Sequence, residues 1–136
     1  APIVNIDDRP LLDGAIVSPI PLDKAIEAGY KKFVVVLTRN KGYRKKGSVP
    51  RLLLKTWYSQ YPKLWDAMQK RPEIYNQQLE RIEQMEREGN LIIIRPEKPL
   101  EIARLSIKPY KLLELHDHGV ECGLAAIEKM IELNNK

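Results

Sequence analysis

The sequence predicts an α/β protein in two parts. Residues 1–38 form the end of an open sheet, and residues 39–136 form a mainly helical α+β extension with one buried strand. Residues 32–38 show no polar alternation, and 33–37 are all apolar, which is typical of a strand buried on both faces of a sheet. A helical pattern precedes this run, and the order strand, helix, strand indicates a crossover unit. Beyond residue 38 the apolar residues recur mostly at helical spacing.

The first part begins with two short strands, over residues 3–6 and 9–12. The two aspartates between them favour a turn, because their side chains bond the backbone two residues on. Gly14 ends the second strand, since glycine permits the positive φ that a sharp turn needs. A helix over residues 22–28 follows, and Gly29 is a natural C-terminal stop for it.

The second part is predicted from prolines, glycines and apolar spacing. The helix that begins at Pro50 has Leu52, Leu53, Trp57 and Tyr58 on one side. The expected elements, in order, are a basic loop over 39–49, helices beginning at Pro50 and Pro62, an amphipathic helix over 72–88, a buried strand over 91–94, and helices over 109–118 and 120–133 divided by Gly119.

The composition limits the class of protein. With 43% hydrophobic residues, 30% charged residues and a net charge of +5, the chain is typical of a globular protein. No apolar run reaches the roughly 18 residues that a membrane span needs, and the start lacks the pattern of a signal peptide. The single cysteine, Cys122, excludes an internal disulfide framework and a cysteine-based zinc cluster. We expect a cytoplasmic protein, in part peripheral at the membrane, and the start at Ala1 suggests a piece of a longer one.

The first candidate for chemistry is Asp13, which follows the second strand in the turn Asp13-Gly14-Ala15. An Asp-Gly pair after a strand is often only a turn in which the aspartate bonds its own loop. Here small residues and a proline-rich entry into a helix come next. That places Asp13 at the rim where open α/β sheets hold their sites, so both interpretations stay open.

The motifs around Asp13 resemble a known family. Residues 11–38 look like the final part of the catalytic domain of bacterial patatin-like phospholipases, through Asp13-Gly14-Ala15, Pro19-Ile20-Pro21-Leu22, Ala25-Ile26, Gly29 and Val34-Val35-Val36-Leu37-Thr38. The later segment resembles the C-terminal extension of one bacterial subgroup, through Lys41-Gly42-Tyr43-Arg44, Tyr61-Pro62, Arg71-Pro72-Glu73, Tyr75-Asn76 and Ile94-Arg95-Pro96. The resemblance implies a C-terminal fragment of a three-layer open sheet.

The resemblance also implies a reaction. These enzymes are Ser-Asp lipid acyl hydrolases in which a serine on a Gly-x-Ser-x-Gly elbow attacks the ester and an aspartate acts as general base in place of histidine. By position Asp13 is that base, and Gly14 and Ala15 support the turn or the oxyanion. No metal or organic cofactor is implied, and the substrate is a lipid.

This chain departs from the family at the nucleophile. None of its four serines, Ser18, Ser48, Ser59 and Ser106, lies in Gly-x-Ser-x-Gly, and no glycine-rich stretch fits an oxyanion hole. We therefore expect the 136 residues alone to be inactive. The implied partner is an N-terminal part of the same protein that carries the serine, and an unpaired sheet edge favours a homodimer.

The second candidate is a basic stretch. Between Glu27 and Asp66 there are basic residues but no acidic ones, and the anion-binding candidates are Arg39, Lys41, Arg44, Lys45 and Lys46. The plain alternative is a solvated loop and helix face. Nucleic acid is not favoured, because no helix-turn-helix, RRM or KH signature is present. The alternative function is thus a non-catalytic module that binds an anionic membrane surface or a protein partner.

The third candidate is His116-Asp117-His118, which suggests a metal site. Side chains at i and i+2 of a helix diverge, and zinc needs further ligands. We expect no metal there, and instead a helix C-terminus where histidine interacts well with the dipole. Cys122 is expected to be a small core residue.

Overall fold

The structure is a computed structural model that describes residues 3–47, 50–100 and 108–135. Within these residues the chain mixes helices with short strands, which confirms an α/β composition at a coarse level. The strands are β1 (Val4–Ile6), β2 (Arg9–Leu11), β3 (Phe33–Val36) and β4 (Leu91–Ile94). The helices are α1 (Leu22–Glu27), α2 (Arg51–Trp57), α3 (Pro62–Arg87), α4 (Pro109–Leu124) and α5 (Ile127–Asn135).

The chain separates into two compact units that do not follow its order. The first unit comprises Ala1–Ala28 and Arg44–Glu80, and the second comprises Gly29–Tyr43 and Arg81–Lys136. This division reflects compactness alone. The boundary between residues 38 and 39 follows the resemblance instead, and it stays a prediction.

The first unit begins with the predicted hairpin. β1 and β2 pair antiparallel, with Val4 opposite Leu11. Asp7 and Asp8 form the turn with positive φ angles of 48° and 58°. A two-residue hairpin turn of this kind needs positive φ at both positions, and aspartate tolerates that conformation better than most residues. The predicted strands and turn are confirmed.

The turn after β2 has a different cause from the one predicted. A short 3₁₀ helix follows the strand over Gly14–Ile16. Gly14 is not among the residues with positive φ, so the predicted glycine hinge is wrong. The chain turns because the Asp13 side chain caps this helix, and because the N–H groups of Val17 and Ser18 both donate to the Gly14 carbonyl, at 3.2 and 3.0 Å.

Helix α2 is present where Pro50 predicts it, and among its described side chains Leu54 is the one that is buried. Leu54 is fully buried, with an exposed fraction of 0%. Leu52, Leu53 and Trp57 are exposed, so the apolar side that the sequence indicates faces away from the core.

Helix α3 is continuous where the sequence predicts two helices divided at Pro72. A proline inside a helix removes one backbone hydrogen bond and costs about 3 kcal/mol. Contacts on both sides of Pro72 offset this cost. Arg71 Nε donates to the carbonyl of Ala15 at 2.8 Å, and the Gln78 side chain accepts from the N–H of Ile20 at 3.0 Å. Both contacts join α3 to the segment that follows β2.

The second half of α3 matches the predicted pattern. Leu79 and Ile82 are buried, as the apolar spacing indicates. The helix ends at Arg87, and Gly89 just beyond it has a φ of 74°. The N–H of Asn90 donates to the carbonyl of Met85 at 3.0 Å, which satisfies one of the carbonyl groups that the helix end leaves free.

The second unit contains a two-stranded parallel sheet. β3 pairs with β4, with Phe33 opposite Leu91, and both residues are buried. Val34 and Val36 are exposed, so the expectation of a strand buried on both faces is wrong for this chain. The reason is that, within the described residues, β3 has one neighbouring strand and its other face has no cover.

The predicted crossover unit is also wrong in the described residues. β2 and β3 belong to separate sheets, so the helix α1 between them does not join two strands of one sheet. The parallel partner of β3 is β4, which comes after α2 and α3 along the chain. The pairing is therefore far less local than the sequence suggests.

The last two helices divide later than predicted. α4 continues through Gly119, because one glycine inside a helix costs only about 1 kcal/mol relative to alanine. The break comes near Ala126, which is buried in a cluster with Ile92 and Leu133. This packing, rather than the glycine, places the division. None of the helices in the described ranges is both long and apolar enough to cross a membrane.

The contrast between neighbours on α2 gives a stability prediction. We expect Leu54→Ala to lower the free energy of unfolding by about 2–5 kcal/mol, because it leaves a cavity at a fully buried site. The control Leu52→Ala should change it by less than about 0.5 kcal/mol. Urea denaturation followed by circular dichroism measures both, and equal effects would contradict the orientation of α2.

Candidate functional site

The carboxylate of Asp13 stands at the end of β2 and is exposed. Its Oδ1 atom accepts a hydrogen bond from the backbone N–H of Ala15 at 2.9 Å. Its own carbonyl accepts from the N–H of Ile16 at 3.1 Å. Within the described residues, that bond from Ala15 is the one hydrogen bond of the carboxylate. The second carboxylate oxygen is thus available to an outside donor.

The turn that holds Asp13 is anchored by contacts of the two residues that follow Gly14. The side chain of Ile16 is buried, and the carbonyl of Ala15 accepts from Arg71 of α3. The N–H of Ala15 is already bonded to Asp13, so the geometry favours Ala15 as turn support rather than as an oxyanion donor. A side chain at Gly14 would meet open space, so close packing does not require glycine there.

This arrangement can accept a proton. A carboxylate that one backbone hydrogen bond orients and a buried neighbour anchors is in one place relative to an approaching hydroxyl. Asp13 is therefore an exposed carboxylate that its own turn orients. Of the four serines, Ser18 and Ser59 belong to the described residues, and Ser48 and Ser106 lie outside them.

The five anion-binding candidates do not form one cluster within a unit. Arg39 and Lys41 belong to the second unit, and residues 44–46 belong to the first. Arg39 lies over the ring of Tyr43, with 5.1 Å from its guanidinium carbon to the ring centroid. Lys46 is exposed.

Lys45 is held in the first unit by Tyr75 and Asn76. Its ammonium lies 5.5 Å from the ring centroid of Tyr75. The side chain of Asn76 accepts from the Lys45 N–H at 2.8 Å and donates to the Lys45 carbonyl at 3.1 Å. The Tyr75-Asn76 motif thus has a structural role that sequence reasoning missed, namely fixing the basic loop on α3.

A groove of about 780 Å³ in the second unit is a further candidate that the sequence did not indicate. β4 supplies its apolar floor, and α4 and α5 line it. The groove joins segments that are far apart in the sequence, so only spacing within α4 could have hinted at it. Arg95 lies at its edge, where its largely buried guanidinium donates to Glu83 at 3.2 Å and Glu86 at 3.3 Å.

Cys122 lines this groove and is half-buried rather than in the core. Its Sγ atom is 3.7 Å from Nε2 of His118, one helical turn away. The other ring nitrogen of His118 is 3.9 Å from a carboxylate oxygen of Glu121. The three groups follow one another along α4.

The His116-Asp117-His118 segment lies in the middle of α4, so its predicted place at a helix C-terminus is wrong. The helix runs through Gly119 and ends at Leu124. His116 contacts Asp117 at 3.1 Å on the exposed side, whereas His118 faces Cys122. In the part of the chain that the structure describes, no group of three or more histidine, cysteine and acidic side chains is arranged to hold a metal.

The cap at Asp13 can be tested apart from any reaction. We expect Asp13→Ala to lower the free energy of unfolding by about 1 kcal/mol, because the N–H of Ala15 loses its acceptor. Asp13→Asn keeps an acceptor oxygen and should change it by no more than a few tenths of a kcal/mol. Equal stability of the alanine variant and the parent in urea titrations would contradict this role.

The comparisons with known proteins concern the second part of the chain. Residues 61–135 match the family described as a domain of unknown function, DUF6363. No curated protein and no solved structure matches the chain. The match runs from the start of α3 through α5 and covers more than half of the sequence. The chain therefore belongs to the DUF6363 family.

Proposed function

We propose that this chain is the C-terminal portion of a Ser-Asp lipid acyl hydrolase and that Asp13 is its general base. The observation that supports this most is the exposed, oriented carboxylate at the end of β2, with one oxygen capped by Ala15 and the other available. The nucleophilic serine belongs to an N-terminal part of the same protein, on a Gly-x-Ser-x-Gly elbow.

The proposed reaction uses the carboxylate of Asp13 twice. The serine hydroxyl attacks the ester carbonyl and its proton passes to Asp13. The bond to the alcohol then breaks, and the alcohol oxygen takes that proton as it leaves. Water attacks the acyl-enzyme and gives a proton to Asp13, which returns it to the departing serine oxygen. No metal or organic cofactor takes part.

A carboxylate is a weaker base than an imidazole, so position must compensate for basicity. The capping bond from Ala15 and the contact of Arg71 with the turn hold the carboxylate in one orientation. An oxyanion hole from the N-terminal part would stabilise the tetrahedral intermediate. Gly14 and Ala15 support the turn.

The sheet of the second unit fits a place in a larger protein. Val34 and Val36 are exposed, and within the described residues β3 pairs with β4 alone. Parallel sheets occur almost only with both faces covered, which supports a further layer or strand on this side. In this proposal residues 1–38 end the catalytic domain, residues 39–136 form the extension, and the protein is cytoplasmic and peripheral at the membrane.

The proposal predicts the effect of one atom exchange in the longer protein. We expect Asp13→Asn to lower kcat for p-nitrophenyl butyrate by about 10²–10⁴-fold, because the amide cannot accept the serine proton. Asp8→Asn removes the same charge from an exposed turn of the same unit and should leave kcat unchanged.

The 136-residue chain alone should show no turnover of this ester. Turnover by the chain alone would contradict the proposal, whether it disappears in Asp13→Asn or persists there. So would the absence of an upstream Gly-x-Ser-x-Gly from the coding sequence, and the non-catalytic module would then be the better account.

A further inference from the structure

Helix α2 presents large apolar side chains to solvent. Leu52 is 76% exposed, Trp57 is 65% exposed and Leu53 is 43% exposed. Leu54 between them is fully buried and anchors the helix. A helix that needs only one residue for its own packing, yet has three large apolar residues outside, has a face without a partner in the described part of the chain.

These three residues form one face. At 100° per residue, positions 52, 53, 56 and 57 span about 140° of the helix surface, and Leu54 lies about 60° beyond the edge at Trp57. The polar member of this group is Thr56, and its hydroxyl donates to the carbonyl of Leu52 at 3.0 Å. Its hydrogen is therefore satisfied inside the helix, which lowers the cost of moving the face into an apolar environment.

The stretch of chain that contains this face has charge of one sign up to Asp66. Residues 44–65, all within the first unit, contain basic residues and no acidic ones. Lys46, Lys55 and Lys63 are exposed, and they lie before, within and after α2 along the chain. Lysines with long flexible stems around an apolar face are typical of a surface that lies on a membrane.

The two tryptophans near this face have different roles. Trp65 is half-buried, its Nε1 donates to the carbonyl of Tyr58 at 2.6 Å, and the ammonium of Lys55 lies 5.8 Å from its ring centroid. Trp57 is turned outward. Trp65 therefore joins the start of α3 to the end of α2, while Trp57 is available to an outside surface, and the membrane interface is where tryptophan is enriched.

We propose that the outer face of α2, formed by Leu52, Leu53 and Trp57, docks on an anionic lipid surface. The apolar side chains enter the boundary between headgroups and acyl chains, and Lys46, Lys55 and Lys63 bind the lipid phosphates. Nucleic acid offers the same charge but no apolar layer for two leucines. A protein groove would need an acidic rim to match this one-sided charge.

The exposed apolar residues of α4 provide the contrast. Leu113 and Leu124 are 64% and 61% exposed, but Glu114, Asp117 and Glu121 are on the same helix. An anionic surface repels carboxylates, so these leucines should not dock there. Exposure alone therefore does not decide the partner, and the charge around α2 does.

Vesicle binding by the 136-residue chain tests the proposal without any hydrolysis. The probes are vesicles of phosphatidylcholine alone and of phosphatidylcholine with a third of phosphatidylglycerol. We expect sedimentation with the anionic vesicles only, and a loss of about tenfold or more when salt rises from about 50 to 500 mM. The emission of Trp57 should shift to the blue on binding, and Trp57→Phe should remove that shift.

The matched variants locate the face. Leu52→Ser with Trp57→Ser should weaken binding to anionic vesicles by at least about tenfold. Leu113→Ser with Leu124→Ser, which also replaces two large apolar residues that are more than 60% exposed, should leave binding unchanged. Unchanged binding by the first pair, no binding by the parent chain, or equal binding to both vesicle types would each overturn the proposal.

The proposal would also be overturned if the chain bound DNA or a protein and did not bind vesicles. The proposal does not depend on the hydrolase function, because the chain tested lacks the nucleophile that the hydrolase requires. Vesicle binding without esterase activity in the longer protein would support docking and contradict the hydrolase. Esterase activity in the longer protein without vesicle binding would support the hydrolase and contradict docking.

Discussion

The parallel pairing of β3 with β4 is the constraint on which the second unit depends. It brings Phe33 against Leu91 and makes both part of the core, although more than fifty residues separate them. It also leaves Val34 and Val36 exposed on a strand that is apolar throughout. A two-stranded sheet is marginal on its own, and a parallel one normally has cover on both faces. This incomplete sheet is the feature of the second unit that supports our proposal of a longer protein.

In the first unit, two hydrogen bonds fix the turn after β2. Asp13 caps a single turn, and Arg71 of α3 donates to the carbonyl of the residue that closes it. The result is a carboxylate that is exposed and yet held. A merely structural cap would be served as well by serine or asparagine, so an aspartate here has a charge that its structural role does not need. That surplus is what a general base requires.

The sequence was informative where local chemistry decides the structure. The turn at Asp7 and Asp8 and the helix stops at Gly29 and Gly89 follow from residue type, and the structure has all of them. The failures are at places where distant contacts decide. Pro72 does not divide α3, because contacts from the loop after β2 hold the helix on both sides of it.

Local sequence patterns also could not predict which side of a helix is buried or where a groove forms. α2 has an apolar side in the sequence, but which side is buried depends on the packing of Leu54. The groove beside Cys122 combines residues of β4, α4 and α5, so no single segment contains its signature. For the site itself, Asp13 could be chosen from its place after a strand, whereas the cause of its turn could not, since Gly14 is not in the conformation that glycine suggests.

The most direct measurement of the central claim is covalent labelling of the longer protein with a fluorophosphonate, followed by peptide mapping. The account predicts one labelled serine, in an upstream Gly-x-Ser-x-Gly, and a loss of labelling in Asp13→Asn while the variant keeps its fold. Labelling that persists at the parent rate in Asp13→Asn, or a label on a serine of these 136 residues, would contradict it.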